Sequence, residues 1–312
     1  MALSIRNLSK TYSNGVQALK DVSLEIPKGM FGLLGPNGAG KSSLMRTLAT
    51  LQEADSGEAW LDDLDVLREK DKLRQVLGYL PQEFGLYPKV SAQMLLEHIA
   101  SLKGVASRGE RRELVEALLH KVNLYPHRKK ELGTYSGGMK QRFGIAQALI
   151  GNPRLIIVDE PTAGLDPTER NRFHNLLSEI GENTVVILST HIVDDVTHLC
   201  NSMAIISQGQ VLEQGRPADI IEGMQGRVWK KTMDKAELVD HLARHQVISS
   251  SLYGGRTVLH IYSATDPQEG FEPVEAGLED VYFHTINQHT HSLPAEVLEA
   301  AGKEADTPTL KA

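Results

Sequence analysis

A run of small residues followed by a lysine and two serines carries the clearest chemical signal in this chain. The spacing G-x-x-x-x-G-K-S is that of a phosphate-binding loop, and it lies between an apolar stretch, Met30 to Leu34, and a predicted helix that begins near Lys41. The loop lets backbone N–H groups converge on phosphate oxygens, and the helix adds the positive end of its dipole. We expect Lys41 to reach the β- and γ-phosphates of a nucleotide and Ser42 to bind Mg²⁺. The predicted nucleotide-binding residues of this loop are Gly35, Pro36, Asn37, Gly38, Ala39, Gly40, Lys41, Ser42 and Ser43.

Two adjacent carboxylates follow a short, wholly apolar run. Leu155 to Val158, flanked by Pro153 and Pro161, has the composition of a parallel-sheet strand that is buried on both faces. Asp159 and Glu160 then fall at the carboxyl end of that strand, where the ligands of open α/β sheets collect. We expect Asp159 to hold Mg²⁺ through its water shell and Glu160 to orient or deprotonate an attacking water. A pair of solvated loop acids is the alternative, and the phosphate-binding loop upstream argues against it.

Two further elements carry groups that can contact phosphate. Ser136, Gly137 and Gly138 form a turn that opens a predicted helix, so they offer a hydroxyl group and free backbone amides. His191 follows a second apolar strand, Val185 to Leu188, and its imidazole can donate to a phosphate oxygen or steady a water. The alternative for His191 is a surface or capping residue.

Taken in chain order, these motifs resemble the ATP-binding cassette (ABC) ATPases over roughly residues 3 to 225. The resemblance rests on Tyr12, the phosphate-binding loop, Gln82, the Ser-Gly-Gly signature, Asp159-Glu160 and His191. It implies an α/β fold with a phosphate-loop parallel-sheet core, an antiparallel β subdomain and a helical signature subdomain, followed by a small C-terminal α+β domain. It also implies ATP and Mg²⁺ as cofactors, with Ser136 to Gly138 of one subunit closing over ATP held by another.

The family resemblance also suggests roles for residues that are uninformative by themselves. Gln82 resembles the hinge glutamine whose amide oxygen joins the Mg²⁺ shell, and His191 resembles the switch histidine. Tyr12 is expected to stack on adenine, with ordinary packing as the alternative. Asp166 fits the loop that contacts the second subunit, and it could equally cap a helix predicted over Thr168 to Ile180.

Two departures from the commonest cassette pattern indicate a branch of the family. Tyr135 and Met139 flank the signature where leucine and glutamine are usual, and Leu278 to Phe283 contains Leu-Glu-Asp-Val. Both features resemble ABC-2 type exporters of the daunorubicin-resistance and sodium-efflux kind. This implies an ATPase subunit that lies on the inner, cytoplasmic face of the cell membrane, forms a homodimer and binds separate permease subunits. The alternatives are an importer ATPase with a regulatory C-terminal domain and a non-transport ABC ATPase.

Composition limits the remaining choices. The 312 residues carry a net charge of −7, which argues against a nucleic-acid partner. The single Cys200 excludes an internal disulfide and is expected to be buried near a helix end. No segment approaches the roughly 18 apolar residues that a membrane helix needs, and the N-terminus lacks a signal-peptide pattern.

The predicted domains are an ATPase domain over 1–225, with a helical subdomain at about 83–150, an accessory β-α-β-β domain over 226–290, and a disordered tail over 291–312. Ser91 is predicted to cap a helix over Ala92 to Leu102, and a second helix is predicted over Gly109 to Val122. The apolar residues Phe84, Leu86 and Tyr87 could receive a membrane subunit's helix or pack internally.

The twelve histidines raise the question of a second metal site. His241 and His245 have the i, i+4 spacing of one helix face, and His284, His289 and His291 cluster near the end. No nearby arrangement of carboxylates or cysteines typical of a metal site accompanies them. The sequence therefore favours surface histidines over a metal site.

Overall fold

The computed structural model describes residues 2–82, 85, 87–162, 165–181 and 184–290. It divides after Gln214 into two compact units. This division precedes the boundary predicted at 225, and the helix Pro217–Glu222 packs against the helix Leu278–Thr290 within the second unit. The functional limits of the domains remain a prediction.

The first unit contains both strands and helices. In chain order they are β1 (Leu3–Thr11), β2 (Gln17–Ile26), β3 (Gly29–Leu34), α1 (Lys41–Leu48), β4 (Ser56–Leu61), β5 (Leu64–Asp65), α2 (Lys70–Val76), β6 (Leu77–Leu80), α3 (Ala92–Leu102), α4 (Arg108–Lys121), α5 (Gly137–Ala148), β7 (Leu155–Asp159), α6 (Pro167–Gly181), β8 (Val185–Thr190), α7 (Val193–Leu199), β9 (Ser202–Ser207) and β10 (Gln210–Gly215). Short 3₁₀ turns lie at Tyr125–His127 and Leu132–Thr134.

A six-stranded sheet forms the centre of the first unit. Its strand order is β10-β9-β3-β8-β7-β6, and the five strands from β9 to β6 run parallel. Strands β3, β7 and β8 are buried along their whole length, as their continuous apolar runs predicted. The register pairs Leu34 with Thr190 and Asp159 with Ser189, so the carboxyl ends of β3, β8 and β7 meet at one edge.

A second, antiparallel sheet has the order β2-β1-β4-β5. Strands β1 and β2 form a hairpin, and the backbone N–H of Tyr12 donates to the Val16 carbonyl across its turn. Leu3, Leu8 and Leu24 of this sheet share one hydrophobic core with Leu44 and Leu48 of α1. This shared core fixes the helix that follows the phosphate-binding loop.

The helices of the signature region begin at hydroxyl caps. Ser91 Oγ accepts from the Met94 amide at 3.3 Å, which confirms the predicted start of α3. Ser107 caps α4 in the same way through the Glu110 amide. The predicted docking residues Phe84 and Leu86 lie outside the described residues.

The second unit is an antiparallel sheet with helices. Its elements are α8 (Pro217–Glu222), β11 (Val228–Met233), a 3₁₀ turn (Lys235–Glu237), α9 (Leu238–Arg244), β12 (Gln246–Tyr253), β13 (Arg256–Tyr262), β14 (Glu272–Pro273) and α10 (Leu278–Thr290). The strand order is β12-β13-β11-β14, with Leu238, Leu259, Ile261 and Phe271 in its core. The 3₁₀ turn leads directly into α9, which is the helix expected in this domain. The tail predicted to be disordered lies outside the described residues.

One expectation about single residues was wrong. His241 is only 4% exposed and is therefore not a surface histidine. Burial, with help from Lys231 and His245, lowers the pKa of His241 below its ordinary value. By contrast, Cys200 is buried directly after α7, as expected. Within the described residues, no helix combines the length and apolar character needed to cross a membrane.

Candidate active site

The phosphate-binding loop joins β3 to α1 and is closed by its own lysine. The Lys41 ammonium is buried and donates to the carbonyl oxygens of Gly35 at 2.5 Å and Pro36 at 3.1 Å. Burial lowers the pKa of Lys41, while the charges of Glu160 and Asp159 act in the opposite direction. The loop carbonyls and the Glu160 carboxylate therefore surround the lysine nitrogen.

Glycine is required in this loop for two separate reasons. A Cβ at Gly35 would lie 2.3 Å from the backbone oxygen of Ile206, so no side chain fits there. Gly40, directly before α1, has φ of +105° and faces the Ala18 backbone oxygen. At both positions the loop therefore packs backbone against backbone.

Glu160 stands where several functional elements converge. Its Oε1 lies 3.1 Å from His191 Nδ1 and 3.8 Å from Lys41 Nζ, and its Oε2 accepts from Gln82 Nε2 at 3.4 Å. Glu160 has φ of +44°, a strained conformation for a residue with a side chain, and its amide donates to the Ser189 carbonyl. The structure therefore brings the predicted switch histidine, hinge glutamine and loop lysine within contact of the predicted base, Glu160.

The neighbouring Asp159 has the features of a cation ligand. Its side chain is buried next to the hydroxyl groups of Ser189 and Ser42, and its Oδ1 makes no well-formed hydrogen bond to the described residues. Burial raises the pKa of Asp159 above its ordinary value. A carboxylate oxygen without a well-formed hydrogen bond, beside the hydroxyl-bearing start of α1, fits Mg²⁺, which prefers oxygen ligands and keeps several waters.

These groups open into one cleft of about 790 Å³, a size that suits a nucleotide. The cleft is lined by the phosphate-binding loop, Gln82, Glu160 and His191, and at its other end by Tyr12 and Val16. The Tyr12 hydroxyl lies 2.9 Å from Ser43 Oγ and donates to Gln52 Oε1. The Tyr12 ring is thus held at the mouth of the cleft, and its stacking on adenine stays a prediction.

The signature residues Ser136, Gly137 and Gly138 do not line this cleft. Ser136 caps α5, with its Oγ accepting from the Met139 amide at 3.3 Å, and no atom approaches within 4 Å of the Cβ position of Gly137. Gly138 packs against Glu169, where a Cβ would lie 2.5 Å from the carboxylate. The exposed part of the signature is therefore its serine and first glycine.

Asp166 caps helix α6, because its Oδ1 accepts from the Glu169 amide at 2.9 Å. This is the second of the two roles that the sequence allowed. Its contact with another subunit stays a prediction. Tyr135 is buried, and its hydroxyl donates to the His127 carbonyl, so the unusual first signature residue is a packing residue of the helical region.

Sequence reasoning missed the buried carboxylate of Asp195 in α7. Asp195 Oδ2 accepts from Thr162 at 2.6 Å and from Thr190 at 3.3 Å, and its Oδ1 accepts two hydrogen bonds from Arg170. His174 lies 2.8 Å from the same oxygen. Thr162 and Thr190 stand close in the chain to Glu160 and His191, so Asp195 ties both ends of the active site to α6. In the sequence Asp195 is only one of two adjacent acidic residues, and nothing there indicates these contacts.

Comparison with known proteins agrees with this geometry. The family described as "ABC transporter" matches residues 19–163. The uncharacterized ABC transporter ATP-binding protein YxlF of Bacillus subtilis is 31% identical over 91% of this chain and 99% of its own length. The linearmycin resistance ATP-binding protein LnrL of the same organism is 35% identical over 72% of each chain.

The fold has solved counterparts as well. The dimeric ATP-binding cassette MJ0796, in a post-hydrolysis state bound to ADP and Pi, superposes with a TM-score of 0.63. It is 28% identical, and the match covers 69% of this chain and 98% of that one. These likenesses show that the chain belongs to the ABC transporter ATP-binding proteins and is an ATPase.

Proposed function

We propose that this chain is the ATP-hydrolysing subunit of an ABC-2 type exporter and that two copies close around ATP to drive transport. The observation that carries the proposal is the separation of the two phosphate-binding elements. The cleft holds the phosphate-binding loop and Glu160, whereas Ser136 and Gly137 are exposed elsewhere on the same chain. In a second copy, Ser136 and Gly137 can supply the phosphate-binding donors that are absent from the cleft.

The chain's own residues divide the hydrolytic work. Lys41 binds the β- and γ-phosphates after leaving the loop carbonyls, and Glu160 takes a proton from the attacking water or orients it. His191, 3.1 Å from Glu160, holds that carboxylate and donates to the phosphate. Mg²⁺, held by Ser42 and through its waters by Asp159 and Gln82, would supply positive charge to the phosphate oxygens.

Closure requires contacts that exist only between copies. Ser136 Oγ accepts from the Met139 amide, yet its hydroxyl still carries a proton to donate. The start of α5 adds free amides and the positive end of a helix dipole beside it. ATP binds more tightly to the closed state because both sets of donors contact it there, which is the condition for driving a conformational change.

The exporter branch is supported by sequence motifs and by the name of one relative. Tyr135, Met139 and the Leu-Glu-Asp-Val element at the start of α10 resemble the ABC-2 type, and the relative LnrL is named for resistance to linearmycin. ABC ATP-binding proteins work with membrane permease subunits, which we expect here as separate chains at the cytoplasmic face. Co-purification with a six-helix permease and no solute-binding protein is the expected outcome, and a solute-binding partner would indicate an importer.

The test of the shared site uses a hydrolysis-deficient background. Glu160→Gln is expected to keep ATP binding and to lower ATPase turnover by about 100-fold or more, because it removes the proton acceptor. On size-exclusion chromatography this variant should shift to a dimer when ATP and Mg²⁺ are added. The further change Ser136→Arg should abolish that shift, since it fills the donor position with a bulky side chain.

Ser107→Arg supplies the matched control, because Ser107 also caps a helix through its hydroxyl group. It should lose a similar amount of helix stability and still allow the ATP-dependent shift. A dimer that persists in the Ser136→Arg protein, or normal ATPase rates in Glu160→Gln, would contradict the proposal.

A further inference from the structure

A second cluster of metal-ligating side chains lies in the second unit. His241 and His245 stand on one face at the end of α9, since the His245 amide donates to the His241 carbonyl in the helical pattern. The loop after β13 returns Glu269 to the same face. His241 Nδ1 and His245 Nε2 lie 3.6 Å and 3.5 Å from the same oxygen, Glu269 Oε2.

Each imidazole has a buried nitrogen without a well-formed hydrogen bond. His241 Nδ1 and His245 Nε2 are closed off from solvent, and among the described residues each has only its long contact with Glu269 Oε2. A buried polar atom without a good hydrogen bond destabilises the fold. Two such atoms directed at one carboxylate oxygen indicate that the cluster is built for a group that both nitrogens can bind.

The surroundings resemble the outer shell of a metal centre. Arg244 Nη1 donates to Glu269 Oε1 at 3.0 Å. This bond fixes the carboxylate, and its other oxygen, Oε2, faces the two imidazoles. Phe271 packs edge-on against both imidazoles, at ring-centroid distances of 5.5 Å and 5.1 Å, and limits their rotation. Gln268, Glu269 and Gly270 all have positive φ, so the backbone bends sharply to bring the carboxylate back to α9.

We propose that His241, His245 and Glu269 form a Zn²⁺ site that is separate from the ATP-hydrolysing centre. Two imidazole nitrogens and one carboxylate are a preferred ligand set for this ion. The three ligand atoms lie within 4.8 Å of one another, a spread that one cation can close by small side-chain rotations. The Glu269 side chain is 41% exposed, so the fourth position faces solvent and accepts water.

Lys231 opposes metal binding at this site and therefore offers a second test of it. Its ammonium donates to His241 Nε2 at 3.0 Å, which requires that nitrogen to be unprotonated. Coordination through Nδ1 moves the imidazole proton to Nε2, so Lys231 must turn away as the ion enters. Removing the lysine should therefore strengthen binding, whereas removing a ligand should weaken it.

The experiment uses the full chain without a histidine tag, free of nucleotide and chelator. Zn²⁺ binding is measured by calorimetry, and Co²⁺ is added as a spectroscopic probe of four-coordinate geometry. We expect a single Zn²⁺ site and the visible absorption of tetrahedral Co²⁺. His245→Gln and Glu269→Gln should each weaken binding by at least about tenfold, and Lys231→Met should strengthen it by about tenfold.

His198→Gln is the control, since His198 is exposed and lies on a helix face with Asp194 at the same spacing. It should leave Zn²⁺ affinity unchanged. Glu269 lies on an exposed loop, so its variant tests the site without disturbing the core. Absence of Zn²⁺ binding, or binding that survives Glu269→Gln, would overturn the proposal, because any ion held by other histidines or by Asp159 would be unaffected.

Discussion

Asp195 has no exposed surface, and its charge is shared among groups from three elements. Arg170 and His174 reach it from α6, and the hydroxyl groups of Thr162 and Thr190 reach it from the ends of β7 and β8. Burying a carboxylate destabilises the fold unless the carboxylate is paired and hydrogen-bonded, and Asp195 is both. The residue therefore stabilises the active-site edge although it contacts no nucleotide-binding residue directly.

Replacing this carboxylate tests its structural role. Asp195→Asn removes the negative charge and leaves the Arg170 guanidinium without its buried partner, so the free energy of unfolding should fall by about 3 kcal/mol. Urea denaturation followed by circular dichroism measures the loss. The neighbouring Asp194→Asn changes an exposed carboxylate that also contacts Arg170, and it should cost less than about 1 kcal/mol. Equal losses in the two variants would contradict the assignment.

At the scale of elements, the approach of α7 to the central sheet depends on one glycine. A Cβ on Gly32 of β3 would lie 2.8 Å from Val196 Cγ1 and 3.1 Å from Cys200 Sγ. The helix can therefore lie directly on the strand only where the strand has no side chain. Burial, and to a smaller extent Asp195, raises the pKa of the Cys200 thiol, so this residue fills space and is not a nucleophile.

Gly32→Ala should lower the free energy of unfolding by about 1–3 kcal/mol, because the added methyl group overpacks the contact between β3 and α7. Chemical denaturation is the measurement. Gly109→Ala is the control, since a Cβ at Gly109 in α4 meets only Ser107 Oγ at 3.7 Å. That substitution should stabilise the protein by about 0.5–1 kcal/mol, because alanine favours a helix over glycine. Losses of similar size in both would show that Gly32 does not set the helix distance.

Elements with a strong local pattern were predictable from the sequence. The apolar runs of β3, β7 and β8 indicated central parallel strands, and Ser91 marked the start of α3. The family order of motifs placed Glu160, His191 and Gln82 at one sheet edge. Contacts between distant residues were not predictable, because no periodicity links Glu269 to His241 or Thr162 to Asp195. Strand β14 was also missed, since it has two residues and one is proline.

At the scale of the whole molecule, the proposed site has a consequence for symmetry. In a two-fold dimer each ATP would contact the phosphate-binding loop of one copy and Ser136 of the other, so the two halves of a site belong to different chains. Substitutions at Lys41 and at Ser136 should therefore fall in the same site when they are carried on different copies, which leaves the other site intact. A site built within one chain would not behave in this way.

Mixing two inactive variants tests this arrangement. Lys41→Met and Ser136→Arg proteins should each lack ATPase activity, and an equal mixture should recover about a quarter of the wild-type rate, because half of the dimers are mixed and each has one intact site. The readout is phosphate release after co-incubation. Combining both substitutions in one chain and mixing it with either single variant should restore nothing. Recovery there, or none in the first mixture, would contradict a site shared between copies.

The two carbonyl contacts of Lys41 bear on how fast the nucleotide can bind. The ammonium already holds the loop closed on itself through the Gly35 and Pro36 oxygens. Arrival of ATP therefore exchanges one set of hydrogen-bond acceptors for another and requires no folding of the loop. Because the phosphate-binding loop is already formed, little free energy of ATP binding is lost in ordering it. We therefore expect ATP binding to be limited by diffusion into the cleft. We expect the association of the two copies to be the slow step of the cycle.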